Sequence, residues 1–180
     1  MARQPRALRY HPSLFHKPSG RSFPAMVAAI GDRDGRFIAC HRTWLEVCPD
    51  GVGKAPVEDP KRTLGSYRGG YIRLWRGASG VPFGQAPDET VDVSEGIEDG
   101  LSVAYACPEC QVIAAISLVN IATLLLPAGV TTLRIWAQND TNNQALAGFD
   151  RAVRAHLAAG RQVLVPTIAR GKDVNDLLRG

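Results

Sequence analysis

The sequence predicts an α/β fold, a parallel sheet flanked by helices, preceded by a small β-rich α+β lobe. Three observations predict it. From Val91 onward, short apolar runs alternate with helical segments, the rhythm of a parallel sheet with helices on its faces. Before that, Met26–Ile30 and Arg36–Cys40 flank an Asp34-Gly35 pair, which is a hairpin signal. Over 142–159, Leu146, Phe149, Val153 and Leu157 recur at three, four and four, which puts them on one helical face.

The elements follow in order. Residues 1–23 are rich in Arg, Pro, Ser and His and read as an N-terminal arm. Residues 24–89 form the front lobe with its linker: the hairpin, a Gly/Pro/Lys-rich loop over 48–66, a strand over 70–75 and a Gly/Pro-rich linker over 77–90. Residues 90–180 form the α/β domain. Its expected strands are 91–94, 112–116, 132–137 and 162–166, and its expected helices are 97–106, 118–125, 142–159 and 173–178. Gly160 stands where a helix C-terminal glycine belongs.

With 45% hydrophobic and 21% charged residues, a packed core is feasible. No apolar run approaches the roughly 20 residues that cross a bilayer, so no membrane role is expected. Residues 1–15 lack the apolar core of a secretory signal, so the cytoplasm is the expected compartment. Residues 1–90 carry 14 Lys/Arg against 8 Asp/Glu, a net +6, while residues 91–180 carry 7 against 9, a net −2. A basic front half beside an acidic back half suits a phosphate-binding surface next to a carboxylate metal site. Cys107 and Cys110 have zinc-knuckle spacing, but Cys40 and Cys48, eight positions apart, do not make a second knuckle. No zinc is expected, only reduced thiols.

Ligand sites in such sheets lie at the carboxyl ends of the strands. Glu95 and Asp140 fall at two of those ends. In Ser94-Glu95-Gly96-Ile97-Glu98-Asp99 the glycine lets the backbone turn into a helix, and Asp99 returns to the side of Glu95 after one turn. Acidic residues at a helix start also complement its dipole. Asp140 is both a possible oxygen ligand and a helix cap for 142–159, and Asp173 caps the last helix or, with Asp176, approaches the same crevice. Carboxylates converging on one crevice repel unless a divalent cation neutralises them, and magnesium prefers such hard oxygen donors.

These three segments, Ser94–Asp99, Ile135–Asp140 and Gly171–Asp176, resemble the three acidic motifs of a Toprim domain, in the style of the phage, plasmid and integrative-element primase and primase-helicase family. Pro24–Ala28, Asp34-Gly35, His41–Leu45, Gly53–Ala55 and Leu64-Gly65 are similar to the segment that precedes Toprim there, so the resemblance runs over about residues 7–179. It implies a primase-like protein of mobile-element DNA replication. Such a protein binds single-stranded DNA and nucleotides, works with a helicase supplied by another chain, and, where active, joins nucleotides with Mg2+ or Mn2+. It implies Glu95 as general base or metal ligand, Asp140 as metal ligand, Gln138, Asp173 and Asp176 as further metal positions, and Asp99 as a supporting catalytic carboxylate. It places His41 and Arg42 toward the acidic crevice and Lys172 on phosphate.

The family pattern has Asp-x-Asp after the third Toprim strand, and Gln138 replaces its first acid. An amide offers a neutral oxygen, so the metal is expected to be weakly bound. That substitution keeps a second reading open, a Toprim module that binds nucleic acid or a protein partner without catalysis. A Toprim-type nuclease uses the same ligands with water as nucleophile. Lys54, Arg73 and Arg76 join Arg42 as basic residues interleaved with Trp44, Tyr67, Tyr71 and Trp75, a pattern for holding phosphates and stacking bases. Trp44 and Trp75 are expected in the core rather than on that surface.

Overall fold

The structure is a computed structural model and describes residues 4–49, 51–86, 88–138, 142–167 and 174. Its first sheet is antiparallel: β1 (Leu8–His16), β2 (Arg21–Gly31), β3 (Phe37–Cys48), β4 (Gly51–Lys54) and β5 (Lys61–Gly65). β3 is its axis. One edge pairs with β2, and the other pairs with β5 over Ala39–Thr43 and with β4 over Leu45–Cys48. The β2–β3 connection is the expected turn. Asp32 Oδ1 accepts from the backbone N–H groups of Asp34 and Arg36, and Gly35 supplies the positive φ of 83°.

Strand alternation sorts this sheet into two faces. Ala28, Ile30 and Ala39 point inward with Leu8 onto the main core. Ala25 and Trp44 point the other way and build a small second core with Ala55. Trp44 is fully buried there, and its Nε1 donates to the Leu14 carbonyl at 3.0 Å.

The second sheet runs β10-β9-β7-β8-β6, from β6 (Ile72–Arg76), β7 (Glu89–Ser94), β8 (Gln111–Ala114), β9 (Val130–Trp136) and β10 (Gln162–Leu164). The last four are mutually parallel, and β6 runs antiparallel along β8. Helix α1 (Ile97–Ala106) covers the face that carries Ile72, Leu74, Val112 and Ala114. Helices α2 (Leu118–Ile121) and α3 (Asn143–Ala158) cover the face that carries Val91, Val93, Ile113, Leu133 and Ile135. Gly100 lets α1 settle closely: a Cβ there would lie 2.4 Å from Leu74 Cδ1. The sheets meet where Gly31 and Tyr71 exchange two backbone hydrogen bonds, each 3.0 Å.

Several elements depart from the sequence expectations. The segment 1–23 read as an arm carries β1 and the start of β2, and β1 is an edge strand with mostly exposed side chains, so its pattern is polar. The 48–66 loop contains β4 and β5, whose glycines and lysines are tolerated because both are short strands on the rim. The 70–75 strand, read as part of the front lobe, is β6 and belongs to the second sheet. Helix α3 is rotated from its apparent stripe. Ala152 and His156 are its buried residues, while Leu146 and Leu157 are more than half exposed. Gly148 lets the helix approach Leu118, and His156 Nε2 shares a hydrogen bond of 2.8 Å with the Ile121 carbonyl. The final helix expected over 173–178 lies, apart from Val174, outside the described residues.

Candidate functional site

Glu95 is the first residue past β7, and Ala137-Gln138 follow β9, the strand that pairs with β7 in register Ser94↔Trp136. Both segments leave the sheet at its carboxyl edge. Glu95 is held by its backbone, since its carbonyl accepts from the Ile116 N–H at 2.9 Å. Ile116 has φ 77°, a left-handed conformation that a β-branched residue seldom adopts, so the crevice is built with local backbone strain. Ser94 is buried, and its hydroxyl donates to the Gly96 carbonyl at 2.8 Å, fixing the turn from β7 into α1.

Asp99 sits in the first turn of α1 and is 6% exposed. Its carboxylate curls back toward the helix start, with Oδ2 lying 3.5 Å from where a Cβ on Gly96 would be. Gln138 Nε2 donates to that same Oδ2 at 3.2 Å. The amide therefore meets a carboxylate that an acid at position 138 would repel. Glu95 and Gln138, with Ala137, Trp136, Leu118 and Phe149, line a cavity of about 230 Å3 at this strand edge. Asp140, Lys172, Asp173 and Asp176 lie outside the described residues.

The front lobe reaches the same end of α1. Lys61 of β5 pairs with Glu98 at 3.4 Å. His41 of β3 is 8% exposed and shares a 3.0 Å hydrogen bond between Nδ1 and Thr63 Oγ1. Burial, then Lys61 and Arg42, lower its pKa to about 4 against the opposing pull of Glu98, so it is neutral at pH 7. His41 and Arg42 are consecutive on a strand and so point to opposite faces. Arg42 stacks 5.1 Å over the Trp44 ring on the outer face, so the two do not converge as expected.

Lys54 is exposed on β4. Arg73 and Arg76 of β6 line a second cavity of about 630 Å3 with Tyr71, Phe83 and Gln111. Arg73 lies 4.8 Å over the Phe83 ring. Of the interleaved aromatics, Trp44 and Tyr71 are buried. Trp75 is half-buried, with Nε1 donating to the Pro108 carbonyl at 2.8 Å.

Sequence reasoning missed the ion pair inside the second sheet. Asp92 of β7 is 1% exposed and accepts from Arg134 Nη1 at 3.2 Å and from Trp136 Nε1 at 2.6 Å. Their register, Asp92↔Arg134 on neighbouring parallel strands, is the signal that finds the pair once the strand order is known.

Residues 90–180 match the Toprim domain family, and residues 1–74 match a domain of unknown function (DUF7146). Among curated proteins no significant match is found. Solved structures that share the fold include three primases. The primase fragment of the bacteriophage T7 primase-helicase protein superposes with a TM-score of 0.55 at 17% identity, over 87% of this chain and 58% of that one. The Aquifex aeolicus primase, zinc-binding and RNA polymerase domains, gives 0.56 at 17% identity, over 86% and 36%. A DnaG primase catalytic domain bound to single-stranded DNA gives 0.50 at 18% identity, over 93% and 53%. The chain thus spans between about a third and three fifths of the length of these structures.

Proposed function

This chain belongs to the Toprim domain family, matched over residues 90–180, and on that premise we propose that it is a primase-like protein that binds single-stranded DNA and nucleotides in the replication of a mobile element. The observation that carries the reading is one crevice: Glu95 and Gln138 at neighbouring strand ends, Asp99 behind them, and Lys61 of the basic front half tied to Glu98 at its rim. A phosphate backbone lying along the front half is drawn there by the net +6 of residues 1–90.

Glu95, Asp140 and the Gln138 amide offer oxygen donors only, which suits Mg2+ or Mn2+ rather than a thiophilic ion. When bound, such an ion neutralises charge developing on a phosphoryl group. The chain's own residues do the positioning. Asp99 orients the Gln138 amide, and the Lys61–Glu98 contact fixes the front lobe against α1. Arg73 and Arg76 hold phosphate along the β6 edge, Arg42, Lys54 and Lys172 supply further cationic contacts, and a helicase from another chain opens the duplex.

The Gln138–Asp99 hydrogen bond favours a second reading, a Toprim module that binds nucleic acid without catalysis, because it satisfies the buried carboxylate with no cation. Primer extension on single-stranded DNA with Mg2+ or Mn2+ separates the two. The expected outcome is salt-sensitive DNA binding with weak synthesis, better in Mn2+, and abolished by Glu95→Gln. Binding without any synthesis establishes the second reading, and absence of DNA binding at low salt overturns both.

A further inference from the structure

The Cys107-Pro108-Glu109-Cys110 turn joins the end of α1 to the start of β8, at the opposite end of α1 from Asp99. The four-cysteine arrangement considered from sequence does not form here. Among the described residues, the group of metal-binding side chains that converges is Cys107, Cys110 and Glu109, with one donor atom from each within 4.8 Å of the others. The third donor is a carboxylate that lies between the two cysteines in sequence.

The turn is held by its own hydrogen bonds and by those of its neighbours. The Cys110 N–H donates to the Cys107 carbonyl at 3.0 Å, closing a tight turn with Pro108 inside it. Trp75 Nε1 donates to the Pro108 carbonyl at 2.8 Å, and the Ala78 N–H donates to the Glu109 carbonyl at 3.0 Å. Both come from the chain leaving β6, so the loop is clamped from outside. Arg134 Nη1 lies 3.6 Å from Cys110 Sγ and donates to it. Burial pushes the Cys110 thiol up and the Arg134 contact opposes that rise, the kind of outer contact that supports a metal-bound sulfur.

We propose that this turn binds one thiophilic divalent cation of the zinc type through Cys107 Sγ, Cys110 Sγ and a Glu109 carboxylate oxygen. Each thiol releases its proton to solvent on binding, so two protons leave per ion. Three protein donors leave the fourth tetrahedral position to water. Soft sulfur donors separate this site from the all-oxygen crevice at Glu95, so magnesium does not compete. The bound ion ties the end of α1 to β8, and thereby stiffens the helix whose first turn carries Glu98 and Asp99.

The test uses the full chain, reduced with a phosphine and stripped of metal, titrated with Co2+ and followed by thiolate charge-transfer absorbance. One ion per chain is expected, displaced by Zn2+ and indifferent to excess Mg2+. Cys107→Ser and Cys110→Ser should each weaken binding more than about a hundredfold, beyond the roughly 10–100-fold usual for losing an outer contact. Glu109→Gln should weaken it less and keep the band, and the pair Cys40→Ser/Cys48→Ser should leave it unchanged. X-ray absorption on the zinc-loaded wild type needs no variant to fold, and two sulfurs at about 2.3 Å are expected. No charge-transfer band, a Co2+ affinity unchanged in Cys107→Ser, or a zinc shell with no sulfur or four sulfurs overturns the proposal.

Discussion

Gln138 and Asp99, 39 positions apart, meet through Nε2 and Oδ2 at 3.2 Å, so the buried acid of α1 is answered by an amide from the end of β9. An Asp at 138 would bring a second carboxylate to the first. Gln138→Asp should therefore lower stability in the absence of metal and tighten Mg2+ binding, by about an order of magnitude given the weight of charged ligands in such sites. Titration calorimetry on both proteins checks it. Equal affinities would remove position 138 from the metal site.

His41 makes stability depend on pH. Its pKa falls from 6.5 unfolded to about 4 folded, so between those values the unfolded chain binds more protons. Its contribution is complete above about pH 6.5 and is lost as pH falls toward 4. His156, lowered mainly by burial, acts in the same direction. Denaturant melts across pH 4–7 should show stability falling with acid, and His41→Gln should flatten the slope without removing the share of His156.

Breaking the Asp92–Arg134 pair leaves Asp92, among the described residues, with the Trp136 Nε1 donor against its buried charge. Arg134→Met should cost about 3 kcal/mol, the lower end for a broken buried pair because Arg134 keeps some solvent contact. Urea midpoints read it. A loss below about 1 kcal/mol would mean that the pair behaves as a surface contact.

Arg73 and Arg76 are exposed on β6 and line a cavity, while Arg42 is half-buried over Trp44. Arg73→Ala with Arg76→Ala should weaken single-stranded DNA binding and flatten the plot of log affinity against log salt by about 1.4, two phosphate contacts at about 0.7 each. Arg42→Ala should flatten it less. Fluorescence anisotropy at several salt concentrations decides between them.

Much of the second half was legible because its signals are local. Helix α1 spans the residues 97–106 expected for it, and Glu95 and Gln138 follow strands that their apolar runs define. What stayed hidden depends on distant partners. β4 and β5 become strands only because β3 offers them a free edge, which their glycines and lysines do not announce. The α3 stripe misled because small Ala152 takes the buried position and Gly148 lets the helix approach Leu118, and the larger Leu146 and Leu157 are left outside. Asp92 reads as a surface acid until Arg134 is placed on the next strand.

The position of β6 governs where this protein can be cut. A fragment starting at residue 90 keeps all the Toprim motifs but strips β8 of its outer neighbour, leaving the unpaired backbone of Gln111–Ala114 beside the apolar residues Val112 and Ile113. Such a piece should self-associate edge to edge, and a fragment starting near residue 70 should not. The two halves are therefore interlocked by one strand, and exchange of either between relatives succeeds only if the Ile72–Arg76 segment travels with the acidic half.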